Sequence, residues 1–290
     1  MRIEGRTVII TGASSGIGRE TAREFASRRA NVVLASRNRE KLEAIAQDLA
    51  SLPGHRLVVP TDVTDQLATE ALVRRTVEEF GTLDILVNNA GVGLFAPIAD
   101  GSIENMRYLF EVNFWGAVHA IQAAAPYMES QKRGHIVNVS SIAGHISPPY
   151  MGMYAATKHA LAAMSDALRN EVASAGVRVS TVYPGLTQTN FMENMLQEVE
   201  APQMPPVVRW VTARTVGQRI AQAVRWNIRD VYISPEDVAA VAADAFAPYL
   251  MDWGMRFFMR PTGRPLGPVS FRDTERAGET ADADREAEAG

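Results

Sequence analysis

The sequence predicts an α/β fold in which about seven strands form one doubly wound parallel sheet with helices on both faces. Short runs rich in β-branched residues alternate with longer segments of helical periodicity, as in successive β-α units. A glycine-rich turn joins the first of these strands to the first helix. No fixed repeat and no change of composition occurs before about residue 235, so the pattern predicts one domain over residues 1–234.

The predicted strands and helices alternate along this whole domain. The strands are predicted at Arg6–Thr11, Asn31–Ser36, Arg56–Pro60, Ile85–Asn88, His135–Ser140, Arg178–Val182 and Asp230–Ile233. The helices are predicted at Gly16–Arg29, Arg39–Ala50, Gln66–Phe80, Ile103–Glu129, Gly152–Ala175 and Ala213–Arg225. Because a helix connects each strand to the next, the strands are expected to run parallel.

Three stretches depart from this alternation. Residues 186–211 combine prolines with apolar side chains after the sixth strand and are predicted to form a lid over a substrate pocket. Residues 235–265 are predicted to form a C-terminal helical extension, in which Asp244, Pro248 and Asp252 argue against a transmembrane segment. An interface helix is favoured there over contact with a membrane surface. Residues 272–290 hold no aromatic residue and no aliphatic residue larger than Ala, which predicts a disordered acidic tail.

Composition and charge exclude several classes of function. The formal net charge is −4 at pH 7, and residues 272–290 account for it with seven acidic and three basic side chains. The remaining chain is therefore nearly neutral, so no nucleic-acid partner is predicted. The sequence has no cysteine, which excludes disulfides and thiolate metal sites, and the five histidines lack carboxylates at metal-ligand spacing. No metal is predicted.

The start of the chain bears on its location. A strand-like run beginning at Thr7 leaves no room for a signal peptide, which favours a cytoplasmic protein.

A glycine-rich loop follows the first strand and precedes the first helix. It reads Thr11-Gly12-Ala13-Ser14-Ser15-Gly16-Ile17-Gly18. Glycine permits tight turns and lets backbone N–H groups approach phosphate oxygens, while the N-terminus of the following helix favours negative charge. The loop therefore predicts a pyrophosphate site formed by Gly12, Ser14, Ser15, Gly16, Ile17 and Gly18. Its G-x-x-x-G-x-G spacing differs from the common G-x-G-x-x-G fingerprint.

The end of the second strand indicates which dinucleotide binds. An NAD site usually has an acidic residue there for the ribose 2′-hydroxyl, whereas this chain has Ser36 followed by Arg37. A guanidinium suits the 2′-phosphate of NADP, which favours NADP(H) over NAD(H). A solvated surface arginine is the alternative. Asp62 and Val63, after the third strand, are candidates for the adenine pocket.

Taken in order, these and later motifs resemble the short-chain dehydrogenase/reductase family over about residues 6–234. The motifs are Thr11–Gly18, Asp62-Val63, Asn88-Asn89-Ala90-Gly91, Asn113, Ser140-Ser141, Tyr154-x-x-x-Lys158 and Pro184-Gly185-Leu186-Thr187. The resemblance implies a Rossmann-like sheet of order 3-2-1-4-5-6-7, a nicotinamide cofactor and self-association as a homodimer or homotetramer. It also implies a catalytic group of Asn113, Ser141, Tyr154 and Lys158.

The chemistry of this group follows from its residue types. Tyr154 and Lys158 are four residues apart on a predicted helix and therefore share one face. A lysine cation nearby is expected to lower the pKa of the tyrosine. The resemblance implies that both residues also contact the cofactor. Such a tyrosine can donate a proton to a carbonyl oxygen or accept one from an alcohol. A tyrosine and a lysine on a solvated helix surface are the structural alternative.

The resemblance also assigns roles to the remaining motif residues. It implies that Ser141 orients the substrate oxygen and that Asn113 holds a water beside the lysine, although Asn113 also suits a structural bridge between helix turns. The further residues implied to bind the cofactor are Asn89, Ala90 and Gly91 near the nicotinamide ribose and Pro184, Gly185 and Thr187 near the carboxamide.

These observations predict an NADP(H)-dependent oxidoreductase that interconverts a carbonyl compound and a secondary alcohol, with Tyr154 as general acid and base. Apolar, Met-rich stretches beside the predicted site favour a small molecule with a carbonyl or alcohol group that is bulky or hydrophobic, rather than a charged sugar. A non-catalytic NADP(H) sensor or scaffold on the same fold is the main alternative. An epimerase or dehydratase is disfavoured because the related longer family resembles G-x-x-G-x-x-G.

Overall fold

The computed structural model describes residues 1–201, 210–258 and 270–271. Seven strands form one sheet in the order β3-β2-β1-β4-β5-β6-β7, and every pairing is parallel. The strands are β1 (Thr7–Thr11), β2 (Asn31–Ser36), β3 (Arg56–Pro60), β4 (Ile85–Asn88), β5 (Gly134–Val139), β6 (Val177–Tyr183) and β7 (Asp230–Tyr232). The predicted fold class and strand order are confirmed.

The structure describes nine α-helices, six of which pack on the two faces of this sheet. They are α1 (Gly16–Ser27), α2 (Arg39–Asp48), α3 (Gln66–Phe80), α4 (Ile103–Phe110), α5 (Gly116–Ser130), α6 (Gly152–Glu171), α7 (Ala213–Trp226), α8 (Pro235–Phe246) and α9 (Pro248–Phe258). The starts of the first six predicted helices agree with the structure, and most ends are shorter because the last turn is capped earlier than periodicity alone indicates.

Alternation along β1 explains the two layers. Ile10 packs in a buried cluster with side chains of α1, α2 and α7, whereas its neighbour Ile9 packs in a second cluster with α3, α5 and α6. Successive strand residues face opposite sides, so a central strand covered on both faces needs a continuous apolar run. Thr7–Thr11 is buried at every position, as this arrangement requires.

The long helix predicted at Ile103–Glu129 is interrupted, and that part of the prediction is wrong. A π-helical turn, Glu111–Trp115, separates α4 from α5, and the N–H of Gly116 donates to the carbonyl of Glu111 five residues earlier. Such turns rotate the following residues relative to the α-helical pattern and are frequent at functional sites. Asn113 lies in the middle of this turn.

The predicted lid has short strands within its described part. Thr187–Gln188 pairs with Val211–Thr212, and Leu196–Gln197 pairs with Leu94–Phe95. Some predictions fall outside the described residues. They concern the three prolines of the lid, the end of the extension at residues 259–265 and the tail at residues 272–290. Among the helices described, none is both long and apolar enough to cross a membrane.

Candidate active site

The glycine-rich loop lies at the carboxyl end of β1, where open parallel sheets bind ligands. Gly12 and Gly16 have φ values of +65° and +50°, in the left-handed region that favours glycine. A Cβ at Gly18 would lie only 2.2 Å from the carbonyl oxygen of Gly12. The loop backbone therefore packs directly against the first turn of α1, and a side chain at Gly18 would separate them.

The N-terminus of α1 supplies backbone donors beside this loop. Ser15 occupies the N-cap in extended conformation, and its side chain makes no capping hydrogen bond. The first N–H groups of a helix have no partner within the helix, and the helix dipole favours an anion near them. Ser14 and Ile17 belong to the same turn. This part of the chain fits a phosphate, as predicted from the sequence.

Asn89 and Ala90 fasten the end of β4 to the glycine-rich loop. The Asn89 side-chain amide donates to the carbonyls of Thr11, at 3.0 Å, and Gly12, at 3.2 Å. The Thr11 hydroxyl accepts the backbone N–H of Asn89 at 3.0 Å and that of Ala90 at 3.1 Å. Sequence reasoning assigned Asn89 to the nicotinamide ribose. In the structure both amide hydrogens of Asn89 hold the loop.

Arg37 directly follows β2, and Asp62 lies two residues after the end of β3, as the predicted strands indicate. Arg37 is exposed, and its Nη1 donates to the hydroxyl of Tyr108 on α4 at 2.9 Å. Asp62 accepts hydrogen bonds from the backbone N–H of Thr64, at 2.9 Å, and from its hydroxyl, at 2.8 Å. The neighbouring Val63 is 8% exposed. The Asp62 carboxylate thus shapes the loop on which Val63 lies.

Ser141 and Tyr154 come together at the carboxyl end of β5. Ser141 caps a short 3₁₀ turn, accepting the N–H of Ala143 at 3.1 Å and donating to the carbonyl of Pro184 at 3.3 Å. Tyr154 is 7% exposed in the first turn of α6, and the Ser141 side chain lies near enough to lower the pKa of its phenol against the effect of burial. Two hydroxyl groups that sequence reasoning assigned to one substrate oxygen are thus adjacent.

Lys158 lies one turn after Tyr154 and is buried, with 4% of its surface exposed. Its Nζ donates to the carbonyl of Val139 at 3.1 Å and lies 5.8 Å from the centroid of the Tyr154 ring. Ser140 donates to the backbone carbonyl of Lys158 at 2.9 Å, which fixes this turn of α6 to the end of β5. The lysine is therefore held beside the tyrosine by groups of the neighbouring strand.

Burial sets the ionisation of both groups. It raises the pKa of the Tyr154 phenol to about 12, against a smaller lowering effect of the hydrogen bond with Ser141. It also lowers the pKa of the Lys158 ammonium to about 8. The expectation that the pKa of Tyr154 lies below its usual value is therefore wrong for the protein's own groups, because burial raises it. The Lys158 ammonium donates to the Val139 carbonyl and lies over the Tyr154 ring, while burial is the largest cause of the raised pKa of the phenol.

Asn113 uses its side chain to hold neighbouring backbone. Its Nδ2 donates to the Val92 carbonyl at 2.9 Å and to the Thr157 hydroxyl at 3.2 Å, while its Oδ1 accepts the Val92 N–H at 2.8 Å. A Cβ at Gly91 would press on this oxygen at 3.2 Å. The predicted water beside Lys158 stays a prediction. It would have to bind backbone atoms of the π-turn or the remaining lone pair of Asn113, because both amide hydrogens are used.

The segment after β6 joins the loop that follows Ser141 to the C-terminal extension. The Thr187 hydroxyl donates to the carbonyl of Gly185 at 3.0 Å, and the carbonyl of Pro184 accepts the N–H of Ile142 at 2.9 Å. A Cβ at Gly185 would lie 2.2 Å from a carboxylate oxygen of Asp237, which caps α8. Only glycine therefore lets α8 begin directly against this part of the site.

The sequence did not reveal several contacts that build the site. Thr157 bridges Asn113 to α6 by donating to the Tyr154 carbonyl at 2.7 Å, and Tyr108 contacts Arg37. The contact of Thr157 could have been suspected because this residue precedes Lys158. Nothing in the sequence indicated that Tyr108 would contact Arg37. Within the described ranges, no group of three or more His, Cys, Asp or Glu side chains could hold a metal ion.

Comparison with known proteins identifies the class to which this fold and site belong. Residues 6–200 match the family model for short chain dehydrogenase. The chain is 36% identical over 265 residues to dehydrogenase/reductase SDR family member 7B of Bos taurus, covering 86% of this chain and 79% of that protein. The chain belongs to the short-chain dehydrogenase/reductase family of oxidoreductases.

Two solved structures support the same assignment. A family member from Burkholderia phymatum in complex with NAD is 27% identical, with a TM-score of 0.78 over 93% of this chain and 100% of that one. One from Burkholderia cenocepacia in complex with NADP is 25% identical, with a TM-score of 0.74 over 88% of this chain and 99% of that one. The fold is therefore similar to both an NAD complex and an NADP complex.

Proposed function

We propose that this protein is an NADP(H)-dependent oxidoreductase that interconverts a carbonyl compound and a secondary alcohol, with the Tyr154 hydroxyl as general acid and base. The observation that carries the proposal is the group formed by buried Tyr154 and Lys158 with partly buried Ser141 at the carboxyl edge of the sheet, next to a loop that fits a pyrophosphate. A nicotinamide coenzyme, when bound, supplies or accepts the hydride.

The protein's own residues provide orientation and proton transfer. Ser141 and Tyr154 offer two adjacent hydroxyl groups to one substrate oxygen, which fixes the carbonyl relative to α6. Because burial raises the pKa of Tyr154 to about 12, its Oη carries a proton at neutral pH. In carbonyl reduction, Oη donates that proton to the substrate oxygen, and the Lys158 cation stabilises the phenolate left behind.

The surroundings of Tyr154 support an apolar substrate. The ring of Phe191 lies 5.6 Å from the Tyr154 ring, and buried Leu94, Ala143 and Leu196 belong to the same apolar cluster. Small-molecule pockets combine such walls with a few polar groups that set orientation. Residues 186–201 contribute Phe191 and Leu196, which supports their role as a substrate lid.

The preference for NADP(H) is proposed from Arg37. Its guanidinium follows β2 at the position where an acidic residue would repel a 2′-phosphate, and its Nη1 donates to the Tyr108 hydroxyl. The related structures contain NAD in one case and NADP in the other, so Arg37 is the feature that favours NADP(H) here. Homo-oligomer formation, a cytoplasmic location and the roles of the extension and tail remain predictions.

Isotope transfer tests this function directly. The full-length protein is incubated with NADPH deuterated at the reactive nicotinamide carbon and with a panel of aldehydes, ketones and steroids. We expect deuterium at the carbonyl carbon of an apolar product, and slower turnover with NADH. Deuterium in no product, together with tight NADPH binding, would contradict catalysis and support the sensor or scaffold alternative.

A further inference from the structure

Phe271 lies near the end of the chain yet is buried against the body of the protein. It is 6% exposed, and its ring centroid lies 5.1 Å from that of Tyr108 on α4. It belongs to the same apolar cluster as Leu94, Leu196 and Tyr154. A residue at the end of the chain therefore forms part of the wall of the cluster that surrounds the proposed general acid.

Asn105 joins Phe271 to the lid. Asn105 is 1% exposed, and its Oδ1 accepts the backbone N–H of Phe271 at 3.2 Å. Its Nδ2 donates to Glu198 at 2.7 Å, and the other carboxylate oxygen of Glu198 accepts the N–H of Ser102 at 3.0 Å. One buried amide thus fixes Phe271 and the end of the described lid to the first turn of α4.

The lid is held at this point by its backbone as well. The N–H of Glu198 donates to the carbonyl of Phe95 at 3.0 Å, directly after the short strand Leu196–Gln197. Leu196 and Phe191, which face the Tyr154 cluster, lie just before this attachment. A change in packing at Asn105 therefore acts on the part of the lid that borders the proposed substrate pocket.

We propose that Phe271 is a positioning residue for the substrate pocket. Its ring packs on Tyr108 and its backbone holds Asn105, so that residues 187–198 stay closed against α4 beside Tyr154. The inference rests on the proposed function, because it assumes that an apolar substrate occupies this cluster. Phe271 acts through its neighbours and takes no part in proton transfer.

A positioning role of Phe271 affects the binding of substrate and leaves proton transfer unchanged. Loss of the ring widens the pocket and loosens the lid, and both effects weaken the binding of a bulky apolar substrate. The Ser141, Tyr154 and Lys158 contacts do not involve Phe271 and stay in place. We therefore expect an increase of KM for bulky apolar ketones with little change of kcat.

Kinetics of full-length variants provide the first test. We expect Phe271→Ala to raise KM for a bulky apolar ketone about tenfold, a factor typical of a lost apolar contact, with kcat within about threefold of wild type. Phe271→Leu, which keeps most of the volume, should restore most of the affinity. Phe246→Ala is the matched control because Phe246 is 90% exposed. An unchanged KM in Phe271→Ala would overturn the proposal.

Hydrogen exchange provides a test that does not depend on turnover. In Phe271→Ala we expect faster amide exchange confined to residues 102–110 and 187–198, and none of this change in Phe246→Ala. If no carbonyl substrate is found, this local effect still supports the closure of the lid while the proposed function fails. Unchanged exchange, or an increase throughout β1–β6 with a lower Tm, would show a merely structural role and overturn the proposal.

Discussion

Lys158 and Arg37 are two cations of the same proposed site, and they are held in different ways. Lys158 is buried, with its ammonium on a backbone carbonyl and over the ring of Tyr154. Arg37 is exposed and donates to the hydroxyl of a tyrosine on α4. The group proposed to transfer the proton is thus fixed by the core of the protein, whereas the side chain proposed to select the coenzyme lies at the surface.

The difference in exposure to solvent explains why substitutions at Lys158 and Arg37 should have different effects. A charge in a buried site acts at low effective dielectric and costs free energy to place there, so its removal changes both chemistry and stability. An exposed charge is screened by water and salt, and its contribution to binding is smaller. Substitutions of the two residues test this comparison.

The largest effect is expected from Lys158→Met. The variant loses the cation that stabilises the phenolate of Tyr154, so we expect kcat to fall by a factor of about 100 or more. The free energy of unfolding at pH 7 should be equal or higher, because the buried ammonium is no longer desolvated. Steady-state kinetics and chemical denaturation measure both quantities. A kcat within tenfold of wild type, or a large loss of stability, would contradict this assignment of Lys158.

The pH dependence of carbonyl reduction should follow Lys158. Burial lowers the pKa of its ammonium to about 8, while the pKa of Tyr154 at about 12 keeps the phenol protonated throughout the neutral range. Both groups are in their active forms below pH 8, and the lysine loses its charge as the pH rises further. We expect kcat for reduction to decline above about pH 8, and Lys158→Met to lose this decline. A rate that rises between pH 8 and pH 10 would contradict the prediction.

The smallest effect is expected at Arg37. Arg37→Ala removes the guanidinium proposed to bind the 2′-phosphate, so we expect Kd for NADPH to increase about tenfold and Kd for NADH to stay within about twofold. The loss should diminish at high salt. Arg39→Ala is the matched control, because Arg39 is exposed and pairs with Glu43 on its own helix. Equal changes in both variants would show that Arg37 is an ordinary surface cation.

A contrast between local and distant contacts explains which features could be predicted from the sequence. The strands Asn31–Ser36 and Ile85–Asn88 were predicted with their observed bounds because a buried parallel strand needs a continuous apolar run. The glycine-rich loop was recognisable because its glycines lie between a strand and a helix. Both signals are contained within a few consecutive residues.

Contacts between distant residues left no such signal. Asn113 lies in the π-turn and hydrogen-bonds to Val92 and Thr157, which are distant in the sequence, while helical periodicity continues through this stretch. The contact of Tyr108 with Arg37 joins elements far apart in sequence. The raised pKa of Tyr154 likewise depends on its burial, which residue spacing does not predict.

The role of Tyr154 is tested most directly with the Tyr154→Phe variant. Two quantities are measured: the rate of hydride transfer in a single turnover and the Kd for NADPH. Tyr183→Phe is the control, since Tyr183 is also a buried tyrosine, with 3% of its surface exposed. We predict that Tyr154→Phe lowers the rate by a factor of about 100 or more while Kd stays within about threefold, and that Tyr183→Phe changes neither. A rate in Tyr154→Phe within tenfold of wild type would contradict the proposed general acid and base.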